Sequence, residues 1–141
     1  MCSYCGCRSI SLIGRWSEEH EELVNTSGAV LRARRTGDEA AARAAATRLA
    51  GMLDAHTGSE ERSLFAELRL DPDFTEHVDA LCAEHLDIHA LLGRVVSGDA
   101  GLAERFDDLL RRHIDREENG LFPAAAVSLD GPAWERAVAR A

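Results

Sequence analysis

The chain has 141 residues, enough for one domain but not comfortably for two. Its 16 basic residues, all of them Arg, are outnumbered by 25 Asp and Glu, so the formal net charge is −9. Such an acidic surface repels nucleic acids and anionic membranes, which excludes both as expected partners. No apolar run approaches the ~20 residues that span a bilayer, and the N-terminus lacks the basic-then-apolar order of a signal peptide. We therefore expect a cytoplasmic protein.

Apolar residues recur with helical rather than strand periodicity along the chain. Asp38 and Asp99 each follow a Gly, which is typical of a helix end followed by the cap of the next helix. Asp71 precedes Pro72, which favours the first turn of a helix. These signals predict four long helices and a short fifth one, at about residues 14–36, 38–69, 72–97, 99–126 and 132–140. Their short connections predict an all-α, up-down-up-down antiparallel four-helix bundle with a short C-terminal helix.

Residues 1–12 form a predicted Cys-containing tail, and we expect the domain itself to cover residues 13–141. Cys2, Cys5 and Cys7 stand in a C-x-x-C-x-C pattern. Three such thiols can bind a metal, form a reversible disulfide or respond to oxidants. They fit an ordinary disordered tail equally well, so the sequence leaves their role open.

The two halves of the chain repeat each other. Glu19-His20 recurs 65 residues later as Glu84-His85, and the segment HTGSEERSLF from His56 recurs 57 residues later as HIDREENGLF. The two offsets differ by eight residues, which is close to two helical turns. The second pair of helices is therefore shorter, but its corresponding residues still face the same side. The repeat predicts two α-hairpins related by a pseudo-two-fold axis.

Polar residues occupy inward-facing positions of all four long helices, where a bundle favours Leu. These residues are His20, His56, Glu60, His85, His89, His113 and Glu117. Burying an uncompensated carboxylate or imidazolium costs several kcal/mol, so seven of them would exceed the ~5–15 kcal/mol stability of a domain. A metal cluster is the simplest compensation. Imidazole and carboxylate without thiolate favour iron or manganese over structural zinc, and seven ligands suit two ions bridged by the carboxylates.

Three other classes of helical metalloprotein fit this pattern poorly. Ferritin-like di-iron proteins carry E-x-x-H on two helices, and no histidine of this chain has Glu three positions before it. A haem bundle needs one or two axial ligands. A zinc hydrolase needs about three. Both would leave most of the predicted ligands unexplained.

Over about residues 13–123 the sequence resembles the hemerythrin-like (hemerythrin HHE cation-binding) family. The resemblance rests on His20, then HTGSE at 56–60, HLDIH at 85–89 and HIDRE at 113–117, each on its own predicted helix. It implies a non-haem di-iron centre with an oxo or hydroxo bridge. One iron would be bound by His85, His89 and His113, and the other by His20 and His56. Glu60 and Glu117 would bridge them, leaving the iron with two histidines an open position.

One departure from the family concerns the last bridging carboxylate. Oxygen-carrying hemerythrins typically have Asp five residues after the last His, whereas here Glu117 and Glu118 stand four and five residues after His113. On a regular helix Glu117 lies ~40° from His113 and Glu118 ~140° away. We therefore expect Glu117 in the centre, with Glu118 and its counterpart Glu61 facing solvent, unless the helix is distorted there.

The resemblance leaves two functions open. The small-molecule ligand would be O2, H2O2 or NO, and the side chains expected to line its pocket are Trp16, Leu23 and Leu53. The protein either binds this ligand reversibly, for storage or sensing, or turns it over as a catalase-like, peroxidase-like or NO-processing enzyme. Both fit a role in oxidative or nitrosative stress.

Overall fold

The computed structural model describes residue 6 and residues 10–141, and all regular secondary structure in these residues is helical. The helices are α1 (Ser11–Arg35), α2 (Glu39–Glu60, continuing through a π-helical turn, Glu61–Phe65, into Ala66–Leu68), α3 (Pro72–Val96), α4 (Ala103–Arg116, continuing through a second π-helical turn, Glu117–Leu121, into Phe122–Ser128) and α5 (Gly131–Arg140). The predicted all-α bundle with a short C-terminal helix is confirmed. Cys2, Cys5 and Cys7 lie outside the described residues. None of the described helices is long and apolar enough to cross a membrane.

The turns between the long helices follow the predicted signals, with one exception. Gly37 and Gly98 adopt positive φ angles of 74° and 106°, which only Gly adopts readily. Asp38 caps α2, because its side chain accepts a hydrogen bond from the backbone N–H of Ala41 at 3.0 Å. The predicted cap at Asp99 is wrong. Its carboxylate accepts from Arg94 instead, and a 3₁₀ turn intervenes, so that α4 begins at Ala103.

Each long helix packs against two neighbours, and the interior is divided into two apolar clusters. Residues at the centre of the first cluster are Ile13, Trp16, Phe65, Leu81 and Phe122. Residues at the centre of the second are Leu23, Leu49, Leu53, Ile88 and Phe106. On every long helix the predicted histidine falls in sequence between members of the two clusters. A polar layer therefore crosses the bundle between two apolar ones.

Helix α5 closes the bundle at the end where the first cluster lies. Glu67, at the end of α2, is only 3% exposed, and its carboxylate accepts hydrogen bonds from Arg136 at 3.0 and 3.1 Å and forms an ion pair with Arg140. Ala137 of α5 is fully buried. These contacts hold α5 against α2 and keep water from the apolar end of the core.

Candidate metal centre

Four histidines, one from each long helix, form the polar layer. His20, His56, His85 and His113 are all buried, with exposures of 1–4%. Their rings meet in two edge-to-face pairs: the centroids of His20 and His56 are 4.6 Å apart, and those of His85 and His113 are 4.7 Å apart. The helices thus bring four of the predicted ligands to one level of the bundle.

Two fully buried carboxylates lie among the Nε2 atoms of these rings. Glu60 Oε1 is 3.2 Å from His56 Nε2, and Glu60 Oε2 is 3.4 Å from His85 Nε2. Glu117 Oε1 is 3.0 Å from His113 Nε2, and Glu117 Oε2 is 3.1 Å from His20 Nε2. Each carboxylate therefore has one oxygen towards each pair of histidines.

These distances are those expected between ligands of a common ion. Two donor atoms that each lie about 2.1 Å from a metal are about 3.0–3.4 Å apart at octahedral to tetrahedral angles. The side chains divide into two groups that can each hold an ion and that share both carboxylates: His20, His56, Glu60 and Glu117 in one, and Glu60, His85, His113 and Glu117 in the other. Seven of their buried atoms have no hydrogen-bond partner: three histidine Nε2 atoms and all four carboxylate oxygens. Burying polar atoms without a partner costs folding free energy unless a cation binds them. The residues therefore fit a pair of metal ions.

The other nitrogen of each ring is held by a second carboxylate from a neighbouring helix. The Nδ1–carboxylate pairs, at 2.7–2.8 Å, are His20 with Glu118, His56 with Glu19, His85 with Glu61 and His113 with Glu84. A carboxylate on Nδ1 orients the ring, leaves Nε2 free for a metal and makes the imidazole a stronger ligand. The sequence prediction missed this role, although the recurring Glu-His and Glu-Glu pairs contain all four residues.

The internal repeat explains the symmetry of this arrangement. Members of the first α-hairpin and of the second correspond at offsets of 65 or 57 residues, and the pairs are Glu19/Glu84, His20/His85, His56/His113, Glu60/Glu117, Glu61/Glu118 and Phe65/Phe122. Phe65 ends the first π turn and Phe122 directly follows the second, and they stack on histidines of the opposite half, Phe65 on His85 at 5.6 Å and Phe122 on His20 at 5.8 Å. The centre is thus built twice from one pattern.

His89 is the one predicted ligand that the structure does not bring to the centre. It belongs to neither group, it is half-buried, and its Nε2 lies 2.9 Å from Thr57 Oγ1. The Thr57 hydroxyl donates to the carbonyl of Leu53 at 3.0 Å, so it accepts from His89 Nε2. The His89 Nε2 is thus in contact with α2 and not with the central carboxylates. Val24, the counterpart of His89 in the repeat, is likewise only partly buried.

The structure places Glu117 at the expected position in the polar layer, but the expectation that Glu118 faces solvent was wrong. Glu117 lies in the centre, fully buried. Glu118 does not face solvent: it is 5% exposed and bound to His20. A residue ~140° from the core direction of one bundle helix can point at the next helix instead of at water, and the π turn that begins at Glu117 turns it further inward. Glu61 is less covered, with 43% of its side chain exposed, but it too binds a histidine.

Opposite charges stabilise each other strongly in this centre when no metal neutralises them. Burial by itself raises the pKa of Glu60, but His56 and His20 outweigh it and hold that pKa well below its usual value. Burial lowers the pKa of His56, but the charge of Glu60 and the bond to Glu19 raise it to about 9. In His85, Glu117 and Glu60 likewise overcome burial and raise the pKa to about 11. Metal ions must therefore displace protons from these imidazoles.

We expect the metal-free protein to lose stability on the alkaline side. The pKa of His56 is 6.5 ordinarily and about 9 in the fold, so its contribution is complete below pH 6.5 and disappears as the pH rises through 9. Glu60, with a lowered pKa, contributes above its ordinary 4.5 and loses that contribution as the pH falls. The metal-free protein should therefore have its highest Tm between pH 4.5 and pH 6.5, where both contributions are present. The metal-loaded protein should lack the alkaline decline, since metal binds the neutral rings; parallel profiles with and without metal would contradict this account.

A surface cleft of about 190 Å³ between α1 and α2 has His56 in its lining, although the Nε2 atom of that ring is itself buried. This α1–α2 cleft is lined by Arg15 and by Glu19, Glu22, Leu23, Met52, Ala55 and His56. Of the three predicted pocket residues, Leu23 lines the cleft. Trp16 and Leu53 lie in the apolar clusters, and the indole N–H of Trp16 donates to Ser59 Oγ at 3.3 Å.

Comparison with protein-family models identifies the family of the chain. The family model described as the hemerythrin HHE cation-binding domain matches residues 11–125, which include all four helices of the centre. No curated protein and no solved structure matched the chain in the corresponding searches.

Proposed function

Because the chain belongs to the hemerythrin HHE cation-binding family, we propose that it is a non-haem di-iron protein whose iron pair binds or processes a small oxidant: O2, H2O2 or NO. The proposal rests on two groups of ligands, each with two histidines, that share Glu60 and Glu117. The carboxylate oxygens and three of the Nε2 atoms in these groups have no hydrogen-bond partner. A site for one ion would need only one such group.

The contacts of the side chains indicate the role of each in binding the two ions. His20 and His56 would hold one ion and His85 and His113 the other, with Glu60 and Glu117 shared between them. The absence of thiolate from these groups favours iron or manganese over zinc. When bound, an iron pair supplies the redox chemistry for binding or reducing a small oxidant. The outer carboxylates orient the rings and the two apolar clusters limit the access of water.

Turnover is the second candidate function, and the placement of His89 favours it. With His89 bound to Thr57, each group offers two histidines and two carboxylates, fewer donors than the six positions of an octahedral ion. Both ions would then keep a position for an outside ligand, whereas the five-histidine pattern of the resemblance saturates one of them. A pair of ions that are both open suits a substrate such as H2O2, which has two oxygen atoms to bind.

A role in oxidative or nitrosative stress, in the cytoplasm, is the setting that this chemistry suggests. The formal net charge of −9 favours small molecules over nucleic acids as partners. The proposal rests on the described residues of the two groups and assigns no role to Cys2, Cys5 and Cys7.

Iron-replete protein should contain close to two iron ions per chain by elemental analysis. Glu60→Ala, which lacks one shared carboxylate, provides the metal-poor control. Absorption spectra and ligand consumption after adding O2, H2O2 or NO then separate the two functions: many equivalents of H2O2 or NO consumed per chain indicate turnover, and one reversible equivalent indicates binding. A ratio near one, or zinc alone after expression in iron-rich medium, would overturn the di-iron proposal.

A further inference from the structure

The two halves of the centre are matched inside the bundle but differ at its surface. The α1–α2 cleft of the first hairpin extends down to Glu19 and His56. The second hairpin has a groove of about 390 Å³ on its related face, and three of its lining residues, Asp87, Leu109 and Arg112, correspond in the repeat to Glu22, Met52 and Ala55. None of the described residues that line this groove belongs to the centre. Only the first of these two surface features therefore leads to a predicted metal ligand.

One pair of residues accounts for much of this difference. Ala55, one residue before His56, presents a single methyl group to the cleft, whereas the corresponding residue before His113 is Arg112, with a long side chain. Both outer carboxylates on the first hairpin are more exposed than their repeat counterparts: Glu19 at 30% against Glu84 at 19%, and Glu61 at 43% against Glu118 at 7%. Glu19 holds His56 and Glu61 holds His85, so this difference concerns both pairs of histidines. The first hairpin is thus the more open flank of the centre.

The lining of the cleft selects for small neutral molecules. Its walls are formed by the apolar groups of Leu23, Met52 and Ala55. Its ionisable rim carries two carboxylates, Glu19 and Glu22, against one guanidinium, Arg15. The apolar walls accept a small neutral molecule such as O2 or NO.

We propose that the α1–α2 cleft is the entry route by which a small neutral ligand reaches the centre, on the side of His20 and His56. The inference rests on the proposed function for the identity of the ligand, but the route itself is a property of the fold. It breaks the pseudo-two-fold symmetry of the protein, because the two ions would have equivalent ligands and unequal access.

The first test uses O2 itself as a paramagnetic probe. The protein is loaded with Zn²⁺, which is diamagnetic and accepts imidazole and carboxylate ligands, and methyl relaxation is measured with and without dissolved O2. We expect larger relaxation enhancements at the methyl groups of Met52 and Leu23 than at those of their repeat counterparts, Leu109 and Ile88. Equal enhancements in both halves, or larger ones at Leu109 and Ile88, would overturn the proposal.

The second test closes the cleft. Ala55→Trp places a large side chain at its rim, and Arg112→Trp places the same side chain at the corresponding position of the other hairpin. In iron-loaded protein, Ala55→Trp should slow NO association by about tenfold or more, which corresponds to a barrier higher by about 1.4 kcal/mol, and Arg112→Trp should leave the rate close to that of the unaltered chain. Ala55→Trp should also remove the excess O2 relaxation at Met52. Equal rates in the two variants would contradict the route.

These tests separate the entry route from the proposed function. If the protein binds no iron, the Zn²⁺ experiment still reports which flank admits O2. If iron is bound and the relaxation enhancements do not favour Met52 and Leu23, the entry route is wrong and the di-iron proposal stands.

Discussion

Glu117→Ala should lose both metal ions, whereas Glu118→Ala should keep both. Glu117 is fully buried and shared by the two groups of ligands, with one oxygen near His113 and the other near His20. Its removal takes a donor from each ion and leaves two histidines without their central carboxylate. Glu118 belongs to neither group of ligands and binds the Nδ1 of His20, and the loss of such an outer partner typically costs about 10–100-fold in metal affinity.

The two variants form a matched pair, since the residues are adjacent, chemically identical and part of one π turn. Metal content after dialysis and the metal dissociation constant are the quantities to compare. Circular dichroism of both variants without metal shows whether the helices are retained. Equal losses of metal, or a greater loss in Glu118→Ala, would mean that Glu118 rather than Glu117 is shared by the ions.

His85→Ala should reduce the metal content from near two ions per chain to near one, and His89→Ala should leave it unchanged. His85 is 1% exposed and its Nε2 faces both central carboxylates, at 3.4 and 3.5 Å. Removing it leaves the group of His20 and His56 complete. His89 lies one turn further along α3, half-buried, with its Nε2 donating to Thr57.

This comparison decides between four and five histidine ligands. Elemental analysis of both variants, with the absorption spectrum of the loaded protein as a second measurement, is sufficient. Thr57→Val serves as a further control, because it removes the hydroxyl that accepts from His89 while leaving every proposed ligand in place. If His89→Ala lost as much metal as His85→Ala, the loaded protein would use the five-histidine pattern that the family resemblance implies.

The position of His89 shows that helical periodicity alone does not identify the metal ligands. His85 and His89 are separated by four residues, so they lie on similar faces and the sequence treats them alike. Two histidines at that spacing can bind one ion, so the spacing itself does not exclude His89. In this fold the His89 Nε2 lies 2.9 Å from Thr57 Oγ1 on α2, whereas at the same spacing the carboxylates of Glu60 and Glu117 lie 3.2 and 3.0 Å from their histidine rings.

The sequence by itself predicted the helical bundle, the internal repeat and seven inward-facing polar side chains, six of which meet at the centre. It could do so because a 3.6-residue period marks the buried face of each helix, and because buried His and Glu among Leu require compensation. Only the tertiary structure decided which carboxylates hold the outer nitrogens of the histidines. Those partners lie 24 to 98 residues apart in the chain, on different helices, and no local period relates them. The tertiary structure also decided that the α1–α2 cleft has a predicted ligand in its lining and the groove of the second hairpin has none, since that depends on what each side chain meets on the neighbouring helix.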